Sequence, residues 1–323
     1  LPFAIDARTA VAVAPRTDRL LRVRSSFDDS EASVAIADLD ELFASPAPTS
    51  VPEWTTYPLG VAWALLRAAG DAATAAGLDL AIASSVPVGA GLSSSAAIEC
   101  AVAVALNELW GADLSAKDLT RVGRTAENDA VGAPTGIMDQ TASMLGQTDA
   151  AVFLDCRALA TEIVPLGLQA AGLDVLVIDT LVTHAHSTGG YRERRASCEQ
   201  GAAAMGAESL RDLSVHDLER AASVMDEVTF RRVRHVVTEN ERVLETVRVL
   251  RESGPRAIGE LLLTSHASMR DDFEISVPEL DTAVEAAMSG GAIGARMTGG
   301  GFGGAAIALV ARDTLTAVTD AVT

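Results

Sequence analysis

Lysine is almost absent from this chain of 323 residues, because Lys117 is the only one among 25 basic residues. A phosphate-binding loop of the Walker type needs a lysine directly after its glycines, so that class of nucleotide site is excluded. Schiff-base catalysis could use only Lys117, whose polar surroundings predict the exposed first turn of a helix. The sequence therefore argues against lysine-based chemistry.

Cysteine and long apolar runs are also scarce. Cys100, Cys156 and Cys198 form no CxxC pair and match no zinc-type spacing, so we expect reduced thiols in a cytoplasmic protein. The longest uncharged run, 80–98, is interrupted by proline, glycine and serine and predicts no membrane-spanning helix. No signal peptide is visible, and a chain that begins at Leu1 is expected to be trimmed or processed at its start.

Positive charge is in short supply as well, with 25 basic against 44 acidic residues and a net charge of −19. Such a field repels nucleic acid and anionic membranes, so we expect neither as a partner. A phosphate-bearing ligand would have to be held by local devices, such as helix N-termini, backbone amides or a metal ion.

What is present is an ordinary globular composition, 49% hydrophobic and 21% charged, in a chain long enough for two packed lobes. Hydrophobic periodicity predicts a mixed first part and a mostly helical second part. We predict lobes over 1–170 and 171–323. Strands are predicted over 9–14, 20–24, 33–36, 78–84, 151–154, 161–164, 173–178, 292–297 and 305–310, and helices over 58–69, 96–110, 115–131, 136–145, 192–205, 231–251 and 256–270.

A glycine- and serine-rich loop lies between a predicted strand and a predicted helix. Its residues are Gly89, Ala90, Gly91, Leu92, Ser93, Ser94 and Ser95. Unpaired N–H groups at the start of the helix, together with serine hydroxyls, can bind phosphate without a lysine. A tight turn capped by serine explains the loop, taken alone, equally well.

Glu127 and Asp139 form a second candidate, because Asp139 lies in an apolar stretch where an ionised carboxylate needs a partner or a task. An ordinary acid in the first turn of a short helix is the alternative, and these residues alone favour it. Five glycines within 299–304 indicate that backbone or ligand approaches closely, or simply a tight hairpin. His184 and His186 could share a strand face as metal ligands, but no third ligand is evident.

Together these segments resemble the GHMP kinases, a family named for galactokinase, homoserine kinase, mevalonate kinase and phosphomevalonate kinase. The segment 86–97 resembles the family's phosphate loop, and 297–304 resembles its C-terminal glycine motif. Segments 1–6, 136–140 and 191–198 are similar to galactokinases in particular. The resemblance implies an α+β fold with two lobes, an N-terminal lobe like domain 2 of ribosomal protein S5 and a ferredoxin-like C-terminal lobe.

The resemblance also implies a role for each candidate residue. ATP would be bound by the glycine- and serine-rich loop and by Ser33, Trp54 and Tyr57, although the two aromatic residues could be plain core. Mg²⁺ would be held by Ser95 and Glu127. Galactose would contact Gly136, Asp139 and Tyr191, with Asp139 accepting or orienting the proton of the C1 hydroxyl.

The activity that the resemblance implies is phosphoryl transfer from ATP to D-galactose, giving galactose 1-phosphate, by a cytoplasmic monomer. A kinase for a related sugar such as N-acetylgalactosamine, a non-catalytic sensor of ATP and sugar, and an inactive fragment are the alternatives. The uninterrupted serine loop favours the enzyme over the sensor. The family's sugar-binding signature, with its arginine, would precede Leu1 and a last strand would follow Thr323. We therefore expect a chain that is trimmed at both ends, incompletely ordered, or taken from a gene with a misjudged start.

Overall fold

A computed structural model describes residues 1–70, 73–182 and 187–323 of the chain. Contacts between Cα atoms divide it into two compact units. The first unit comprises Leu1–Pro87 and Ser93–Ile163, and the second comprises Val88–Leu92 and Val164–Thr323. The assignment of an ATP-binding domain to 1–170 and a second domain to 171–323 stays a prediction.

The first unit is built on a four-stranded mixed sheet. Its strands are β1 (Thr9–Pro15), β2 (Leu20–Ser25), β3 (Ala32–Ala35) and β4 (Leu78–Ser84), in the order β1-β4-β2-β3. The central strand β4 pairs antiparallel with β1, with Val11 opposite Ile82, and parallel with β2. Leu21, Val23 and Leu80 alternate with more exposed residues along these strands, which gives the sheet one buried face.

Helices cover the buried face of this sheet. They are α1 (Leu39–Leu42), α2 (Thr56–Ala69), α3 (Ser94–Trp110), α4 (Ala116–Thr125), a π-helix (Ala126–Val131) and α5 (Met138–Leu145), with β5 (Ala150–Asp155) and β6 (Ala160–Pro165) following as a two-stranded sheet. Leu59 and Leu65 of α2 and Leu106 and Trp110 of α3 are fully buried in the shared core. Helix α3, which begins at Ser94 within the glycine- and serine-rich loop, is therefore anchored in this core through its C-terminal half.

The second unit is mostly helical and contains a three-stranded antiparallel sheet. Its elements are α6 (Leu168–Ala171), β7 (Leu173–Asp179), α7 (Ser187–Ala204), α8 (Leu218–Val224), α9 (Glu227–Ser253), α10 (Gly259–Ser268), a π-helix (Met269–Phe273), α11 (Pro278–Ser289), β8 (Gly294–Met297), β9 (Ala305–Ala311) and α12 (Leu315–Val322). The strand order is β7-β9-β8. Leu280, Met297 and Val310 lie in one apolar core of this unit, and Val233 of α9 lies in another.

Two predicted helical stretches are confirmed as helical, but each changes helix type along its length. The helix predicted over 115–131 ends as an α-helix at Thr125 and continues as the π-helix Ala126–Val131. The helix predicted over 256–270 is a 3₁₀ segment, then α10, then a second π-helix. Hydrophobic periodicity detects the apolar face of such segments but not a local change in hydrogen-bond pattern. None of the helices in the described ranges is both long and apolar enough to cross a lipid bilayer.

Candidate active site

The glycine- and serine-rich loop leads from β4 into the start of α3, as predicted. Gly89 and Gly91 have φ angles of 79° and 70°, and Ser93, the N-cap of α3, has a φ of 58°. Backbone that alternates into the left-handed region turns successive N–H groups toward one side, and the first N–H groups of a helix have no partner within the helix. The local conformation suits an anion, although phosphate binding by this loop stays a prediction.

The C-terminal glycine segment lies directly against this loop. A Cβ at Gly299 would be 3.0 Å from the carbonyl oxygen of Gly91, and one at Gly303 would be 2.6 Å from that of Val182. The segment also joins β8 to β9, so it is a hairpin connection as well. The prediction that other backbone approaches these glycines closely is confirmed.

Ser95, in the first turn of α3, contacts Glu127 of the π-helix Ala126–Val131. Ser95 Oγ donates a hydrogen bond to Glu127 Oε1 at 3.0 Å. The other carboxylate oxygen of Glu127 accepts hydrogen bonds from Thr135 Oγ1 at 2.6 Å and from Gln140 Nε2 at 2.8 Å. Glu127 is 7% exposed and lies on the π-helix, a form that is frequent at functional sites. Its carboxylate is therefore fixed in one orientation with one edge toward Ser95.

The Ser95–Glu127 pair fits a magnesium ion. Oxygen ligands lie about 2.0–2.1 Å from Mg²⁺, so two neighbouring ligands of an octahedral ion are about 2.9 Å apart. The separation of 3.0 Å between Ser95 Oγ and Glu127 Oε1 is close to that edge. No cluster of three or more histidine, cysteine or acidic side chains suited to a metal is found among the residues described, so an ion here would use few protein ligands.

Two buried residues that the sequence did not single out, Glu99 and Gln140, lie behind Glu127. Gln140 Nε2 donates to Glu99 Oε2 at 2.8 Å as well as to Glu127, and both Glu99 and Gln140 are completely buried. Burial raises the pKa of Glu99 well above its ordinary range, and the charge of Glu127 adds to the shift. A glutamate inside the otherwise apolar face of α3 was the one available sequence signal.

Asp139 lies in the first turn of α5 and reaches the start of α3. Burial raises the pKa of its carboxyl group, a hydrogen bond from Ser93 opposes the shift and the nearby charge of Glu127 adds to it. The structure therefore brings Ser93, Ser95, Glu127 and Asp139 together around the N-terminus of α3. Asp139 is also a first-turn acid on a short helix, as the alternative interpretation had it, but it is not an ordinary exposed one.

The three residues assigned to ATP outside the glycine- and serine-rich loop lie on other elements of the first unit. Trp54 packs edge-on against Phe27 with ring centroids 5.5 Å apart, and its indole N–H donates to Ser30 Oγ at 2.9 Å. Burial, with Glu127, Glu99 and Glu53 nearby, raises the pKa of Tyr57 to about 12. Both rings pack against the core, which is the alternative weighed above, while Ser33 is exposed on β3. Their contact with ATP stays a prediction.

Of the two remaining sugar-binding candidates, Gly136 is exposed, and a Cβ there would meet no described atom within 4 Å. Tyr191 is 38% exposed on α7 in the second unit. Both roles stay predictions. His184 and His186, the possible metal pair, lie outside the described residues.

Arg194 anchors the turn of α7 that contains Tyr191, and the sequence analysis did not predict this role. Arg194 Nε donates to the carbonyl oxygen of Phe273 at 2.6 Å, and its guanidinium lies 5.7 Å from the ring centroid of Phe302. Gly190 completes the packing, because a Cβ there would be 2.5 Å from Phe302 Cζ. The three arginines within 192–195 were the only sequence signal for this anchor.

Comparison with known proteins places these features in a family. The family model "GHMP kinases N terminal domain" matches residues 56–147, and "GHMP kinases C terminal" matches residues 246–323. The chain is 50% identical to a galactokinase of Streptomyces coelicolor, covering 100% of this chain and 81% of that protein. The chain belongs to the GHMP kinases, on their galactokinase branch.

Other relatives agree with this placement. A galactokinase of Mycobacterium tuberculosis is 39% identical over 100% of this chain and 86% of its own length. The crystal structure of Lactococcus lactis galactokinase complexed with galactose superimposes with a TM-score of 0.90 at 32% identity, covering 99% of this chain and 82% of that one. Methanococcus jannaschii mevalonate kinase shares the fold, with a TM-score of 0.64 and 14% identity over 96% and 83% of the two chains. The predicted α+β GHMP kinase fold is confirmed.

The regions matched by the family models contain most of the site. The N-terminal match includes the glycine- and serine-rich loop, Glu127 and Asp139, and the C-terminal match includes the glycines at 299–304. The galactokinase-like segment 191–198 lies outside both matches.

Proposed function

We propose that this chain transfers the γ-phosphoryl group of ATP to the C1 hydroxyl of D-galactose, forming galactose 1-phosphate and ADP. The observation that carries the proposal is the pairing of two serines at the head of α3 with two carboxylates. Ser93 hydrogen-bonds Asp139, and Ser95 hydrogen-bonds Glu127 at 3.0 Å. A candidate base and a candidate metal ligand thus flank a helix N-terminus suited to phosphate.

Asp139 is the proposed base. An aspartate whose pKa is raised binds a proton more strongly than an ordinary one. Its carboxylate would accept or orient the proton of the C1 hydroxyl as that oxygen attacks phosphorus. The hydrogen bond from Ser93 would hold the carboxylate in place for this transfer.

The glycine- and serine-rich loop and the N-terminus of α3 are the proposed phosphate site. Their backbone N–H groups and the helix dipole would stabilise negative charge on the transferring group, which compensates for the net charge of −19 on the chain. Mg²⁺ held by Ser95 and Glu127 would neutralise further charge on the phosphates. Ser33, Trp54 and Tyr57 are proposed for the rest of the nucleotide.

Galactose is the proposed acceptor, with Gly136 and Tyr191 as contacts besides Asp139. The open surface beside Gly136 leaves room for a ring hydroxyl. Localisation in the cytoplasm and a monomeric state are part of the same proposal. Light scattering on the purified protein tests the second of these.

The function is tested by measuring ADP release with MgATP and each of galactose, N-acetylgalactosamine, glucose, mevalonate and homoserine, using protein from the full reading frame. Turnover on galactose is expected. Turnover on N-acetylgalactosamine instead would identify a related sugar kinase. Binding of ATP and galactose without ADP release would identify a sensor and remove the catalytic assignment of Asp139.

A further inference from the structure

Two buried oxygen atoms behind the proposed metal site have no hydrogen-bond partner among the described residues. They are Glu99 Oε1 and Gln140 Oε1. Both side chains are 0% exposed, so water does not reach them from the surface. An unsatisfied polar atom in a protein interior is destabilising, so such atoms call for an explanation.

The remaining polar atoms of the same two side chains are fully used. A primary amide has two N–H groups, and Gln140 Nε2 donates one to Glu99 Oε2 and the other to Glu127 Oε2, each at 2.8 Å. The reverse orientation of the amide would point Gln140 Oε1 at Glu127 Oε2, a carboxylate oxygen that accepts hydrogen bonds. The orientation of Gln140 therefore follows from its two neighbours.

A single proton on Glu99 would give both unpartnered oxygens a partner. A protonated carboxylic acid accepts an amide N–H with one oxygen and can donate its O–H to the carbonyl oxygen of the same amide, which closes a ring of two hydrogen bonds. Burial favours the protonated form of Glu99, the negative charges of Glu127 and Asp139 act in the same direction, and the hydrogen bond from Gln140 opposes them.

We propose that Glu99 and Gln140 form a cyclic acid–amide pair, and that through this pair Glu99 acts as a positioning residue for Glu127. The inference rests on the proposed function, because it gives Glu127 the part of a Mg²⁺ ligand. One N–H of Gln140 is held by Glu99, so the other is held against Glu127 Oε2. That bond, with the one from Thr135, leaves Glu127 Oε1 directed at Ser95.

The helix packed against Glu99 and Gln140 leaves space for their side chains. A Cβ on Gly123 of α4 would be 3.0 Å from Gln140 Cγ and 3.4 Å from Glu99 Oε2. Glycine at this position therefore makes room for the two side chains.

The first test is difference infrared spectroscopy of the wild-type protein against Glu99→Gln at neutral pH, without metal or nucleotide. The wild type should show the carbonyl stretch of a protonated carboxylic acid, and Glu99→Gln should lack it. Absence of that band from the wild type would overturn the acid–amide pair. This result does not depend on whether the protein phosphorylates galactose.

The second test compares ADP affinity with and without Mg²⁺ by isothermal titration calorimetry. Glu99→Leu removes the acceptor for Gln140, and loss of a group that orients a metal ligand typically costs 10–100-fold in metal affinity, so the gain in ADP affinity on adding Mg²⁺ should fall by about 10-fold or more. Affinity without Mg²⁺ should hardly change. In Glu99→Gln a second amide can form the same ring, so the gain should stay near that of the wild type.

The matched control is Val102→Ala, which removes two methyl groups from a fully buried side chain of the same helix. It should lower the melting temperature and leave the Mg²⁺-dependent gain unchanged, which separates positioning from general loss of stability. An unchanged gain in Glu99→Leu, or a loss in Glu99→Gln as large as in Glu99→Leu, would overturn the positioning role. A wild-type protein whose ADP affinity is insensitive to Mg²⁺ would contradict the proposed metal site, while the infrared band would still decide the pair.

Discussion

The polar side chains of the candidate site contact one another in pairs. Ser93 and Ser95, which the sequence places in the predicted phosphate loop, each contact a carboxylate, Asp139 in one case and Glu127 in the other. A serine hydroxyl can donate to a carboxylate and still accept or ligate with its lone pairs. The two serines therefore connect the predicted phosphate loop to the predicted base and metal ligand.

Replacing Asp139 by asparagine should abolish measurable turnover. The amide keeps the size of the side chain but cannot accept the C1 hydroxyl proton, and a positioned general base contributes about 10²–10⁴-fold. We expect kcat to fall by at least about 10²-fold and ATP affinity, measured calorimetrically, to change little. Retained steady-state activity would remove Asp139 from its proposed role.

The pH dependence of kcat/KM for galactose should report the pKa of Asp139. The ionised form is the active base and its pKa is raised, so activity should fall, as pH is lowered, at a pH above the ordinary aspartate value of about 3.9. The hydrogen bond from Ser93 lowers this pKa, so Ser93→Ala should move the acid limb to higher pH. Ser94→Ala alters the same loop and should leave the limb in place; equal shifts in both variants would contradict the assignment.

At the scale of elements, close backbone contacts organise the site. The sequence predicts that the glycine-dense segment 299–304 is approached closely, but not by which part of the chain. The structure identifies the carbonyl group of Gly91 as the neighbour of Gly299. The two segments are more than two hundred residues apart in sequence, so no local pattern could show the contact.

Gly299→Ala and Gly300→Ala form a matched pair of variants for this contact. Gly299 has a φ of 78°, and its Cβ would lie 3.0 Å from Gly91 O, whereas a Cβ at Gly300 would meet no described atom within 4 Å. A left-handed backbone costs an alanine about 1–2 kcal/mol, and the contact would also displace the loop. Gly299→Ala should weaken ADP binding measured by calorimetry and Gly300→Ala should not; equal effects would show that the contact with the loop is unimportant.

Local sequence patterns do not predict the π-helix Ala126–Val131 either. The apolar pattern correctly predicts a helix through this region, but not the wider turn that carries Glu127. A Cβ on Gly60 of α2 would lie 2.7 Å from Ala130 Cβ, so the two helices pack very closely here. Packing between helices, together with the three hydrogen bonds to Glu127, accompanies the change in helix type.

At the scale of the whole molecule, each unit has its own apolar core. Leu106 is fully buried in the core of the first unit, and Leu280 is fully buried in a core of the second. Leucine-to-alanine changes at such positions cost about 2–5 kcal/mol. The two side chains belong to separate clusters and share no neighbours within them.

The double variant Leu106→Ala/Leu280→Ala should therefore be destabilised by the sum of the two single effects. Distant sites without shared partners usually add to within about 0.5 kcal/mol. Urea unfolding of the wild type, both single variants and the double variant measures the sum. A departure larger than about 1 kcal/mol would show that the two cores are energetically coupled.

The sequence by itself determined the strand Leu78–Ser84, the loop and helix that follow it, and the exposed position of Lys117, because alternation, helical periodicity and glycine content are local properties. Resemblance of short motifs identified the family. Only the tertiary structure decided that Ser93 meets Asp139, that Gln140 joins Glu99 to Glu127, and that Arg194 holds the turn of α7 beside Phe302. Hydrogen bonds and close contacts between residues far apart in sequence depend on how whole elements pack, and no local pattern records that packing.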